Sequence, residues 1–256
     1  MSESPPPSGV FQAARRAHVA DDVFDQLAAA ILRGELPTGA ALPPERTLAA
    51  QFGTSRIIAR QAIHRLADHG LVRVRQGGAT IVLDADSAGD LRILELYYRL
   101  TPNHGPGSID PRHAAERQLL QGYALVEVAA RCAKKSELAR IDETVKELAA
   151  AGASDAASFA AFEERFWRAV AAAGKNRILA MELSWWYRLL REHPRADRRP
   201  AAPVAERVAF YAALSGRLAR GEDAAGFYLL AIQPMLRALR PSREVRDQAS
   251  SRRASR

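Results

Sequence analysis

Two arginines, Arg56 and Arg60, stand four residues apart just after Thr54 and Ser55, so in a helix they share one face near its N-terminus. An arginine guanidinium carries a rigid fork of donors that matches O6 and N7 of guanine, a contact that separates bases by about 1–3 kcal/mol. Gln61 lies beside Arg60 and offers the amide pair that suits adenine, while His64 is expected to face backbone or solvent. Ser55 sets a hydroxyl and open backbone amides at the helix start, where a phosphate can be met. Arg46, near the start of the preceding helical segment, is placed for a phosphate or a groove edge, and Gly77 and Gly78 let a following loop approach closely. From Arg56 to Arg75 there are five arginines (56, 60, 65, 73 and 75) and one acid, Asp68, whereas a solvated helix face would mix signs. Each arginine taken singly reads as a solvated charge. Together they point to recognition of duplex DNA.

The elements that must position them are legible. From Asp21 the apolar positions Val23, Phe24, Leu27, Ala28, Ile31 and Leu32 follow helical spacing, and Gly34 ends the run. Residues 36–39 form a turn; Leu42-Pro43-Pro44-Glu45 opens a second helix with Leu48, Ala49 and Phe52 inward, closed by Gly53. Thr54 or Ser55 caps a third helix whose inner stripe is Ala59, Ala62, Ile63 and Leu66. Two short alternating segments, 71–75 and 80–83, flank Gln76-Gly77-Gly78 and predict a hairpin. Residues 19–84 therefore read as a winged helix-turn-helix, in which the N-terminal residues of the second helix of the pair reach base edges in the major groove.

Residues 1–18, rich in Pro and Ser and then basic, read as a flexible arm, and 84–90 as a linker. Helical pattern fills residues 85–240, with breaks at 101–111, 151–155, near Gly174, at 193–203 and at Gly221, enough for six or seven helices in a bundle. Residues 241–256 read as a basic disordered tail. The predicted class is mainly α, an N-terminal winged helix-turn-helix followed by an all-helical bundle. A balance of 37 Lys+Arg against 29 Asp+Glu, net +8, fits a polyanionic partner. One cysteine, Cys132, allows neither an intramolecular disulfide nor a thiolate metal cluster. No apolar run reaches the roughly 18 residues of a membrane span, and the first ten residues lack signal-peptide regions, so a soluble, cytoplasmic protein is expected. The chain shows no His-Glu zinc motif, phosphate loop, Gly-x-Ser-x-Gly or cysteine dyad. Glu163 and Glu164 diverge around their helix axis, so no catalytic residue and no cofactor is assigned.

Residues 20–83 resemble the N-terminal domain of GntR-family transcription regulators. The marks are the G-x-L-x-x-G turn from Gly34, L-P-x-E-R-x-L-A from Leu42, S-R-x-x-x-R from Ser55, and G-L-V-x-V-R-Q-G from Gly70. Where the family shows an acid after the second arginine, this chain has Gln61, a departure that bears on operator preference. The resemblance implies DNA contacts at Arg46, Ser55, Arg56, Arg60 and Gly77. The C-terminal half resembles the helical effector domain of the FadR subfamily, through ILELYYRL (93–100), FEERFWRAVAAAGKNRIL (162–179) and FYAALSGRLARGED (210–223). That implies effector binding and dimerisation by residues 85–240, with two heads on a palindromic operator. Many members hold a divalent metal through one aspartate and three histidines, and these positions fall on Glu163, Trp167, Tyr211 and Gln233. Only Glu163 could ligate well, so no metal is expected. The acyl-CoA-responsive branch of the subfamily also lacks those ligands, and LSWWYRLLREHP resembles its corresponding helix. An acyl-CoA or other lipophilic effector would then meet Glu163, Trp167, Trp185, Arg188, Tyr211 and Gln233, with Arg191 as a further anion partner. The competing reading makes the aromatic stripes core or dimer interface.

Two functions follow as expectations. The first is a homodimeric, effector-responsive, sequence-specific repressor. The second is an architectural DNA- or RNA-binding protein without an effector, which would discriminate weakly between sequences and bind with steep salt dependence.

Overall fold

The computed structural model describes residues 15–75, 77–88, 90–102, 105, 107–151, 156–194 and 203–240. The chain divides into two compact units, Met1–Ile109 and Asp110–Arg256.

The first unit opens with α1 (Arg15–Leu32), α2 (Glu45–Gln51) and α3 (Arg56–Asp68). Ser55 caps α3 by accepting the amide of Ile58 at 3.3 Å, satisfying one of the donors that a helix start leaves open. The stripe Ala59, Ala62, Ile63 and Leu66 is buried as its spacing requires, against Val23, Phe24, Leu27 and Ile31 of α1 and Leu48 of α2. Strands β1 (Val72–Arg73) and β2 (Ile81–Val82) pair antiparallel, Val72 opposite Val82. Residues 40–42 extend this hairpin into a third line of pairing. Val82 donates to Ala40 O at 2.9 Å, Leu42 donates to Thr80 O at 2.8 Å, and Ala41 bridges Ile81.

Three sequence expectations change here. The run at 84–90 contains a one-turn helix, α4 (Ala85–Ala88), whose start is tied by Asp84 accepting Ser87 Oγ–H at 2.7 Å. The next helix, α5 (Arg92–Leu100), packs Ile93 and Leu96 into the core of the first unit, although its sequence predicts a place in the bundle. An amphipathic stripe states that a helix buries one face and does not name the core that receives it. Residues 15–18, expected in the arm, already belong to α1, while 1–14 and the tail 241–256 lie outside the described residues.

His69, at the C-cap of α3, packs at a tilt against Phe24 with ring centroids 5.5 Å apart, and its Nδ1 is buried with no hydrogen-bond partner among the described residues. Burial, then the nearby Arg92 and Arg65 charges, holds its pKa below the ordinary 6.5, against the weaker pull of Asp90 and Asp68. The unfolded chain therefore takes up a proton at higher pH than the folded one does, and acidification favours unfolding. Melting temperature should fall as pH drops through about 6.5, the value of the unfolded histidine, and His69→Phe, which keeps a ring on Phe24, should flatten that slope in a thermal melt.

The second unit contains α6 (Pro111–Cys132), α7 (Lys135–Ala151), α8 (Ala156–Ala173), α9 (Arg177–Glu192), α10 (Val204–Arg220) and α11 (Ala224–Leu239). With α5 that makes seven helices of two turns or more after residue 90, among the described residues. Asp110 caps α6 ahead of Pro111, Asn176 caps α9 through the amides of Ile178 and Leu179, and Asp223 caps α11. In the bundle α8 packs against α6, α7 and α9, α10 packs on α7 and α11, and α11 also packs on α6. Phe159, Phe162, Phe166 and Trp167 of α8 fill the centre with Tyr211, Leu214 and Leu218 of α10 and Tyr228 of α11.

Candidate nucleic-acid interface and helical core

Helix α3 buries one face and leaves Arg56, Arg60, Gln61 and His64 exposed on the others. Arg60 is held: its Nε and Nη2 donate to the two carboxylate oxygens of Glu45 at 2.9 and 3.0 Å. That hydrogen bonding is the main reason the Glu45 carboxyl lies below the usual range, and the Arg60 guanidinium rises in response. Arg46, the next residue of α2, is exposed. Ser55 has its side-chain oxygen engaged at the cap, so the hydroxyl proton is what it can offer a phosphate. Gly77 sits in the turn after β1 with φ +71°, a left-handed backbone that a residue with a Cβ adopts only under strain. Arg73 and Arg75 are exposed on the same hairpin.

Two residues depart from the sequence reading. Arg65 faces the protein, with Nη1 2.5 Å from Asp21 and the guanidinium 4.3 Å above the Phe24 ring, so one of the five clustered arginines serves the fold. Ile57, which is not among the sequence-predicted contacts, is 71% exposed between Arg56 and the inner stripe. Its signal was present: it is a large apolar residue at a position outside the helical stripe. There it offers a methyl surface of the kind that meets the C5-methyl group of thymine.

In the helical unit the structure joins three of the six residues expected to meet an effector. Trp167 Nε1–H donates to Tyr211 Oη at 3.1 Å, and Tyr211 O–H donates to Glu163 Oε1 at 2.6 Å. Arg207, which the sequence does not single out, donates from Nη2 to Glu163 Oε2 at 2.8 Å and lies 4.0 Å over the Phe159 ring. The Glu163 side chain is 5% exposed, so its charge is matched inside the bundle by a cation from α10. Trp185 and Arg188 lie elsewhere, on α9: Trp185 beside Trp186, and Arg188 exposed. Gln233 is half-buried on α11. Arg191, the further anion partner expected from the sequence, bonds Glu164 at 2.8 Å, and Glu164 also holds Arg168. Glu163 and Glu164 thus point into different surroundings.

This donor set does not suit a metal. Both carboxylate oxygens of Glu163 are engaged, an indole N–H donates and cannot ligate, and the phenol of Tyr211 already serves Glu163. No group of three or more His, Cys, Asp or Glu placed to hold a cation occurs among the described residues.

The aromatic rings also interlock. Phe166 lies 4.7 Å and Trp167 6.1 Å from Tyr211, and Trp167 stands edge-on to Tyr228 at 5.7 Å. Gly122 of α6 makes this possible, because a Cβ there would fall 2.1 Å from Tyr228 Oη and 3.1 Å from Trp167. Gly122→Ala should therefore destabilise by about 1–3 kcal/mol through overpacking, seen as a lower denaturant midpoint with an unchanged slope.

Comparison with known proteins decides the family. Residues 19–82 match the model of bacterial regulatory proteins of the gntR family, and residues 115–227 match the FCD domain. An uncharacterised HTH-type transcriptional regulator of Mycobacterium tuberculosis is 30% identical over 246 residues, covering 94% of this chain and 97% of that one. The chain belongs to the GntR family. It is a DNA-binding transcription regulator with an FCD domain, and its relatives are regulators and not enzymes. The HTH-type transcriptional regulator Mce2R of M. tuberculosis is 49% identical over 74 residues, 29% of this chain and 31% of that protein, so the strong match spans about a third of its length. A fatty acid metabolism regulator protein of Yersinia enterocolitica is 27% identical over 154 residues, 60% of this chain and 62% of that one. No helix among the described residues of this GntR-family protein is long and apolar enough to cross a membrane.

Proposed function

We propose that this GntR-family regulator is a sequence-specific repressor that binds a palindromic operator as a homodimer, one α3 per half-site, under the control of a lipophilic effector. The observation that carries the reading is the exposed face at the start of α3: Arg56, Ile57, Arg60 and Gln61 around the Ser55 cap. Arg56 and Arg60 read guanines, Ile57 meets a thymine methyl, Gln61 is the adenine reader, and Arg46, Ser55 and Gly77 hold the phosphate backbone. Bound dimer on a promoter blocks polymerase by occupancy alone, so repression needs no further contact surface. The effector is proposed to be an acyl-CoA or a related acyl metabolite. Support comes from the unsuitability of the Glu163 surroundings for a metal-held carboxylate, from the aromatic character of that core, and from the fatty acid metabolism regulator among the relatives. Since those rings are close-packed, entry of an acyl chain would have to displace Trp167 or Tyr228, with Trp185, Arg188 and Gln233 as outer contacts.

The test begins with selection of duplexes from a randomised pool by the full chain, followed by sizing of the complex. A two-fold symmetric consensus bound by two chains is expected, and acyl-CoAs of graded length are then expected to shift both affinity and melting temperature. An unstructured pool with steep salt dependence would favour the architectural reading. A consensus without any acyl-CoA response would remove the effector and leave the repressor.

A further inference from the structure

The Glu45–Arg60 pair spans two helices, from the first residue of α2 to the fifth of α3, and neither side chain makes another hydrogen bond among the described residues. Both members are open to solvent, at 64% side-chain exposure for Arg60 and 34% for Glu45, and such pairs add little to stability. Its geometry is what distinguishes it. The guanidinium presents its side edge, Nε and Nη2, to the two carboxylate oxygens. Of five N–H groups two are used, and those that remain are both on Nη1 and one on Nη2. One from each terminal nitrogen forms the end-on fork, which is the edge that spans guanine O6 and N7. A long side chain with many rotamers is thereby held by its flank with its reading edge exposed.

We propose that Glu45 is a specificity-determining positioning residue that fixes the Arg60 guanidinium for end-on readout of guanine while its negative charge weakens binding to unrelated sequence. The inference rests on the base-reading role given to Arg60 above. A carboxylate on the DNA-facing side opposes the phosphates wherever no base contact compensates, so it lowers non-specific affinity. At the matching base its hydrogen bonds leave less freedom to be lost on binding and hold the fork in plane. One acidic side chain thus acts with opposite sign on the two modes of binding.

The experiment uses the full chain, a duplex selected by the wild-type protein from a randomised pool, and a scrambled duplex of equal composition. Glu45→Gln keeps size and polarity and removes the bidentate acceptor. The expected result is tighter binding to the scrambled duplex, weaker binding to the selected one, and at least a tenfold fall in their ratio, with relaxed preference at one guanine per half-site. In an Arg60→Ala background the same substitution should leave the ratio unmoved, because nothing remains to be positioned. Tighter binding of Glu45→Gln to both duplexes by the same factor would overturn the proposal and make Glu45 a plain repulsive charge. Tighter binding to the selected duplex alone would overturn it as well, since Glu45 would then compete with DNA for Arg60. If Arg60→Ala itself keeps the wild-type ratio, the base-reading role falls and takes the proposal with it. If Arg60→Ala loses the ratio and Glu45→Gln does not, the base-reading role stands and only the positioning role is lost. Circular dichroism melts of each variant separate these outcomes from unfolding.

Discussion

Arg207→Ala should lower the stability of the helical unit by about 3 kcal/mol, the lower end of what removal of one partner from a buried ion pair costs. The substitution takes the guanidinium away from Glu163 Oε2 and from the face of Phe159, in a site where the carboxylate side chain is 5% exposed. Removing an arginine from a solvent-exposed acid elsewhere on the bundle would cost a fraction of that. The check is chemical denaturation followed by tryptophan fluorescence, to which Trp167, two hydrogen bonds from Glu163 through Tyr211, contributes beside Trp185 and Trp186 of the same unit. Replacing both charges with apolar residues of similar volume, Glu163→Leu with Arg207→Met, should recover part of the loss, because desolvation of the two ions is no longer required while the buried Tyr211 hydroxyl gives up its acceptor. If the double variant were as unstable as the single one, the packing of these side chains would matter more than their charge.

Arg60→Ala should weaken binding to the selected operator by one to two orders of magnitude, matching the roughly 1–3 kcal/mol of a bidentate base contact. Binding to random duplex should weaken far less, by no more than the loss of one positive charge that leaves the Glu45 carboxylate unpaired. Arg46→Ala is the contrast: with the phosphate contact proposed for it on α2 removed, both duplexes should bind more weakly by similar factors, and the salt dependence should flatten by about one counterion. Fluorescence anisotropy across a salt series resolves the two patterns. Equal losses on both duplexes for Arg60→Ala would place that residue on the backbone.

What the sequence disclosed follows from periodicity. The stripe Ala59, Ala62, Ile63 and Leu66 is buried because helical spacing leaves one face inward, and the arginines at 56 and 60 are exposed for the same reason. The Ser55 cap, the hairpin and the combination of a winged helix with a helical bundle were readable on similar grounds. Contacts between elements were not. The Glu45–Arg60 pair depends on the angle between two helices, and the bridge at Ala41 is a single residue with no alternating pattern to announce it. Helix α5 shows a strong amphipathic stripe that would suit either core. In the helical unit Glu163 belongs to the face that also carries Phe159, Phe162, Phe166 and Trp167, so its burial could be inferred, but its cation could not. Arg207 lies 44 residues further along, and its sequence neighbourhood gives no sign of that partnership.

The three-line pairing around the wing has a consequence for how this head can be altered. Because β2 is flanked by β1 on one side and by residues 40–42 on the other, the register of Val72 with Val82 is fixed without help from the tip. The segment from Arg75 to Ala79 can then change length or charge while the frame beneath it stays in place. Such a layout separates the part that must be kept from the part that can vary, and it makes the wing tip the natural place to graft a loop from another regulator.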